Sequence, residues 1–210
     1  MSDCNEYEKY RKYKFKYTRC KNVKEITDDC PFHFIHVTSY ENLIEILNDG
    51  ILKMGKELPE KNRRLSGDVK ESAEHIFASI YFDDLNNISQ YPSFTLILNP
   101  YLLVQQNAAF NKGWYGEIMR DTIILNPDDK ELFNASIRKI RSTLDEEIYA
   151  PTQLNLHGWI THEILFQQNI DLGAYLIGIS CTDCTNQQLE SINKLAKKYG
   201  QIVVNQKKLI

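Results

Sequence analysis

Glu163 stands in the run Trp159-Ile-Thr-His-Glu-Ile-Leu-Phe166, whose apolar neighbours read as a strand. A carboxylate there is costly if buried unpaired. It therefore either faces solvent or is kept to stabilise positive charge developing on a bound molecule. His162 alternates to the opposite face and reads as structural. A second marked place is Phe32-His-Phe-Ile-His-Val-Thr38, where a strand gives way to a helix and leaves His36 and Thr38 at its end, facing whatever cleft lies there. Ser79 and Tyr81 share one face of the run His75-Ile-Phe-Ala-Ser-Ile-Tyr-Phe82, with Ile76, Ala78 and Ile80 on the other. Cys181-Thr-Asp-Cys184 has redox or zinc spacing but lacks a second cysteine pair, so no metal site is expected.

The elements that must hold these residues follow from periodicity. After Ser39, Leu43, Ile44, Ile46 and Leu47 fall on helical spacing and Asn48-Asp49-Gly50 supplies a stop, so strand runs into helix over 32–50. Thr38 or Ser39 is placed to cap that helix. Further strands are expected at 75–82, 93–99, 122–126, 159–166, 174–181 and 201–205, with a short helix or turn over 101–111. Longer helices are expected at 128–149, with Asp128 a plausible cap, and at 186–199. The segment 53–72 reads as a loop or a short helix, and 112–117 as an exposed aromatic loop. Strands follow one another without a helix between each pair, which predicts an α+β fold with a largely antiparallel or mixed core.

Residues 1–24 differ in charge from the rest. Eight Lys or Arg stand against Asp3, Glu6 and Glu8, a net of +5, so with the whole chain at −3 the remainder carries −8. Tyr13, Phe15 and Tyr17 alternate with Lys12, Lys14 and Lys16, the spacing of a strand with an aromatic and a cationic face. Two readings compete. In one, this basic aromatic arm is an edge strand whose lysines prevent pairing with other chains; in the other, cations track phosphates while rings stack on bases. The negative charge of the whole favours the structural reading.

A chain of 210 residues with 42% hydrophobic residues suits one well-buried core, so 1–210 is expected to form a single domain. No apolar run approaches the ~20 residues of a membrane span, and the polar start has no signal-peptide core. Five cysteines, an odd number, argue against a complete disulfide framework. A soluble protein of the cytoplasm, a reducing compartment, is expected, with no membrane partner.

His36, Thr38, Glu41-Asn-Leu43, Ile46-Leu47 and Gly50-Ile-Leu52, with Ser79-Ile-Tyr81 and Thr161-His-Glu163-Ile-Leu-Phe166 in the same order, resemble the NAD-dependent ADP-ribosyltransferases, most closely the DarT-like branch. The resemblance spans 32–181 and implies a split mixed or antiparallel β core with flanking helices. It implies an enzyme that cleaves NAD as substrate and transfers ADP-ribose to a macromolecular acceptor, protein or nucleic acid, a glycosyltransferase of the pentosyl class. His36 and Thr38 would hold NAD, Ser79 and Tyr81 would sit against the nicotinamide, and Glu163 would be catalytic. Arg64, or its neighbour Arg63, would pair with the pyrophosphate or assist the acceptor. Thr161 is not the Gln or Glu that arginine-modifying members carry, which argues against arginine as acceptor. The resemblance also leaves open an RNA 2′-phosphotransferase-like enzyme or a catalytically silent binding module.

Overall fold

The computed structural model describes residues 2–58, 74–82, 94–112, 122–149, 162–181, 184–200 and 203–205. In chain order the elements are α1 (Ser2–Asp29), β1 (Phe32–Thr38), α2 (Tyr40–Asp49), β2 (Ile51–Leu52), β3 (Ile76–Phe82), β4 (Phe94–Leu98), α3 (Leu102–Gln105), β5 (Ala108–Lys112), β6 (Ile123–Leu125), α4 (Lys130–Tyr149), β7 (His162–Phe166), β8 (Ile170–Asp171), α5 (Leu172–Tyr175), β9 (Leu176–Cys181), α6 (Asn186–Ala196) and β10 (Val203–Asn205). Eight strands form one sheet in the order β10-β9-β4-β1-β3-β7-β5-β6, and β2 pairs separately with β8. Every pairing is antiparallel except β10 with β9, so the mixed α+β core expected from the sequence is present.

The sheet is split along β3. The second half of this strand pairs with β1, from Ile35↔Ser79 to Phe32↔Phe82, while its first half pairs with β7, from Ile76↔Phe166 to Ala78↔Ile164. Ser79 stands at the handover. Beyond Ile35, β1 continues its ladder with β4 through Thr38↔Phe94. The two half-sheets therefore diverge where the sequence placed His36, and β3 alone carries both.

One sheet face meets the helices. Phe32, Phe34, Ile80, Phe82, Leu96 and Phe166 form a core with Val23 and Ile26 of α1, Leu43 and Leu47 of α2, Ile137 and Ile140 of α4, and Ile192 of α6. Phe34 and Phe166 meet edge to face at 5.1 Å between ring centroids, joining the two half-sheets on this side. Ile35, Tyr81, Ile97 and Leu165 are also buried, but on the reverse face and outside that core.

Local chemistry accounts for α2. Ser39 is its N-cap, its hydroxyl accepting from the Asn42 N–H at 3.3 Å, and Gly50 closes it at φ 77°, a left-handed conformation that glycine adopts without steric cost. The Gly50 N–H donates to the Ile46 carbonyl at 2.9 Å.

Several expectations are corrected. The arm over 1–24 is not an edge strand but most of the helix α1, because Arg19, Asn22, Val23 and Ile26 recur at helical spacing and are all buried, a period that the Lys/aromatic alternation upstream of it conceals. Lys24–Asp28 at 2.6 Å and Lys21–Glu25 at 3.7 Å add i,i+4 support. The 101–111 segment holds α3 and then strand β5, not a helix or turn alone. Asp129 rather than Asp128 caps α4, accepting from the Leu132 N–H at 3.0 Å, because Asp128 is engaged with Arg19 at 3.2 Å. Residues 174–175 end the short helix α5 before β9 begins. Cys181 and Cys184 are joined as a disulfide with their Cα atoms 5.8 Å apart, while Cys20 is an exposed free thiol. No described helix is long and apolar enough to cross a membrane.

Candidate functional site

Glu163 is the second residue of β7, half-buried, and its strand partner on β5 is Asn111. Asn111 is 3% exposed. Extending the β3–β7 register by one residue sets Glu163 level with Ser79, which pairs with Ile35 of β1. One rung thus crosses four strands as Ile35, Ser79, Glu163 and Asn111. Alternation along a strand puts all four side chains on the reverse face, away from the helix-packed core. Tyr81, two residues on, shares that face and pairs with His33. Ser79, Tyr81 and Glu163 are thereby brought together on one surface, with a carboxamide beside the carboxylate.

Tyr81 is only 4% exposed, its ring sunk into the reverse face. The β3–β7 ladder ends at Ala78↔Ile164, so Glu163 and the second half of β3 border the place where the half-sheets separate. A carboxylate at such an edge keeps a polar environment while the surrounding apolar side chains lower the local dielectric, which strengthens its action on a nearby positive charge.

His36 is placed differently. It lies one step past the β1–β3 ladder and pairs with Leu96 of β4, so alternation groups it with the core-facing residues, as it does Thr38, which pairs with Phe94. Two strand spacings separate β1 from β7, about 10 Å between backbones. The imidazole spans the divergence: Nδ1 lies 2.6 Å from the Phe77 carbonyl oxygen of β3 and donates to it. That bond commits the proton to Nδ1 and leaves Nε2 as an acceptor in the neutral ring. Desolvation holds the imidazole below the ordinary histidine range, opposed more weakly by the Phe77 bond, which favours the cation. His36 is therefore a neutral acceptor held in the split, on the other side of β3 from Glu163.

The sequence brought out Ser79, Tyr81, Glu163, His36 and Thr38; it missed Asn111. The period-two spacing of Ala108 and Phe110 was the available signal, but Leu102, Leu103 and Val104 immediately before it gave the segment a helical appearance. Arg63, Arg64 and the aromatic loop at 113–116 lie outside the described residues. Among the described residues, no three His, Cys, Asp or Glu side chains gather as metal ligands.

Comparison with known proteins adds three findings. The model of a family of unknown function, DUF5846, matches residues 30–147, more than half the chain. The uncharacterized protein R11 of Acanthamoeba polyphaga mimivirus is 31% identical over 208 residues, which is 98% of this chain and 76% of that protein. Among solved structures, DarT of Thermus sp. 2.9 in complex with NAD+ superposes with a TM-score of 0.52 at 17% identity, over 84% of this chain and 95% of DarT. The same protein in complex with ADP-ribosylated ssDNA superposes with a TM-score of 0.52 at 16% identity, over 84% and 94%. At such identity the likeness shows the fold: this chain has the DarT-like ADP-ribosyltransferase architecture.

Proposed function

This chain belongs to the DUF5846 family, a family of unknown function, and we propose that it is an ADP-ribosyltransferase that cleaves NAD and transfers ADP-ribose to a macromolecular acceptor, protein or nucleic acid. The observation that carries this reading is the shared face of Ser79, Tyr81 and Glu163 at the split of a sheet whose fold is that of an NAD-bound enzyme.

In the reaction, the bond between ribose C1′ and the nicotinamide nitrogen breaks and its electron pair leaves with nicotinamide. The ribose carries positive charge until a nucleophilic atom of the acceptor bonds to C1′ and loses its proton. Glu163 stabilises that cationic sugar and accepts from the ribose 2′-hydroxyl, much as a carboxylate does in glycoside cleavage. The Ser79 hydroxyl, on the same rung, holds the nicotinamide amide. Tyr81 walls the nicotinamide side with its ring. His36 and Thr38 take the dinucleotide from across β3, His36 through Nε2, which accepts from a sugar hydroxyl. Arg64 assists the acceptor or pairs with the pyrophosphate.

The test is incubation of the full chain with NAD labelled on its adenylate half, together with single-stranded DNA, RNA and protein acceptors. Glu163→Gln is expected to lower label transfer by roughly a hundredfold or more while leaving the thermal midpoint within a degree or two of wild type. Equal behaviour of wild type and variant would make the protein a binding module instead.

A further inference from the structure

We infer that the first half of α1 is a docking surface for an unpaired strand of nucleic acid. Every residue from 9 to 18 is exposed, so this part of the helix projects beyond the body that buries Arg19, Val23 and Ile26. Tyr10, Tyr13 and Tyr17 are 63%, 75% and 72% exposed. At spacings of three and four they line one side of the helix, opposite the side that Val23 and Ile26 bury. Lys14 flanks this stripe on one edge and Lys9 and Lys16 on the other. A groove of about 690 Å³ begins at Tyr10 of this stripe and runs along Arg11, Lys14, Phe15 and Thr18 to Asp128.

The chemistry selects the occupant. Pairing of α1 with the α1 of a second copy would set like charge against like, since residues 1–24 carry a net of +5, and the acidic remainder of a second copy could meet only the cations. A lipid surface is met by a helix with a continuous apolar stripe; residues 9–18 contain no aliphatic side chain, and their rings are interleaved with cations. An acidic protein would satisfy the lysines and leave three large rings in water. A polynucleotide uses both, since phosphates neutralise the lysines while bases stack on the tyrosines. Stacking requires bases that are not already paired, which selects a single strand over a duplex. The remainder of the chain carries −8 and repels phosphate, which confines the strand to α1.

The test needs no NAD, so its outcome is separate from that of the transferase reading. Anisotropy of fluorescent oligo-dT and oligo-U is measured with the full chain across a salt series, beside a duplex of equal length and vesicles of phosphatidylcholine with phosphatidylglycerol. The strands are expected to bind more tightly than the duplex. Replacing Lys9, Lys14 and Lys16 together by Gln should flatten the slope of log affinity against log salt by about 2. Replacing Tyr10, Tyr13 and Tyr17 together by Ala should weaken strand binding by about tenfold or more and leave duplex binding unchanged. Binding by both triple variants at wild-type strength, equal affinity for strand and duplex, or α1-dependent capture of vesicles alone would each overturn the proposal. If either variant loses folded population, photo-crosslinking of the wild-type chain to an iodouracil-bearing strand decides: crosslinks within residues 9–18 support the surface, and crosslinks elsewhere refute it.

Discussion

His36 is the residue whose chemistry is most constrained by its surroundings. Its Nδ1 donates to the Phe77 carbonyl and its ring is partly desolvated, so the neutral form is favoured in the folded state. In the unfolded chain the same imidazole titrates near the ordinary ~6.5. As pH falls below that value the unfolded state binds a proton that the folded state resists, and stability falls until the lower folded pKa is passed. A lower thermal midpoint at pH 5 than at pH 7.5 is expected, with His36→Gln flattening this part of the profile. Asn111 makes the complementary case. It pairs with Glu163 and is 3% exposed, so Asn111→Asp brings a second carboxylate beside the first. Like charges disfavour ionisation of each other, so the acid limb of the transfer activity should move to higher pH, whereas Asn111→Leu should lower kcat by roughly tenfold with KM little changed. Glu163 was legible because a carboxylate in an apolar run is conspicuous in any sequence. Its neighbour was not, since the pairing that sets Asn111 beside it joins strands far apart in the chain.

At the scale of elements, α1 is held at its waist by one arginine. Arg19 is 4% exposed, donates through Nε to the Leu103 carbonyl at 3.1 Å, reaches the same oxygen and Asn107 through Nη2, and pairs with Asp128 at 3.2 Å. Arg19→Met keeps much of the volume but leaves the Leu103 carbonyl and the Asn107 side chain without this donor. A loss of roughly 2–3 kcal/mol is expected from urea unfolding, with the largest hydrogen-exchange increase in α1 and α3. The sequence placed Arg19 among the charges of a basic arm; only packing distinguishes it from the exposed lysines before it. By contrast, α2 was readable at both ends. Its Ser39 cap and left-handed Gly50 are local devices, satisfied within a few residues whatever the rest of the chain does.

At the scale of the molecule, α1 divides into a projecting half and an anchored half, and truncation should show the boundary. Removing residues 1–18 takes away no buried side chain among the described residues and should change stability by less than about 0.5 kcal/mol. Removing 1–26 also strips Arg19, Val23 and Ile26 and should cost about 5 kcal/mol or more, read as a large shift of the urea midpoint. The sequence by itself determined the types and order of most strands, the capped helix after β1, the α+β class and the identity of the polar residues that interrupt apolar runs. These depend on periodicity and on short-range capping, which act within a few residues. Only the tertiary structure decided that β3 hands over from β1 to β7, that Glu163, Ser79 and Tyr81 share a face while His36 stands across the split, and that the basic arm is a helix. Each of these is fixed by pairing or burial between distant segments, and no local pattern of side chains encodes which strand a given strand will meet.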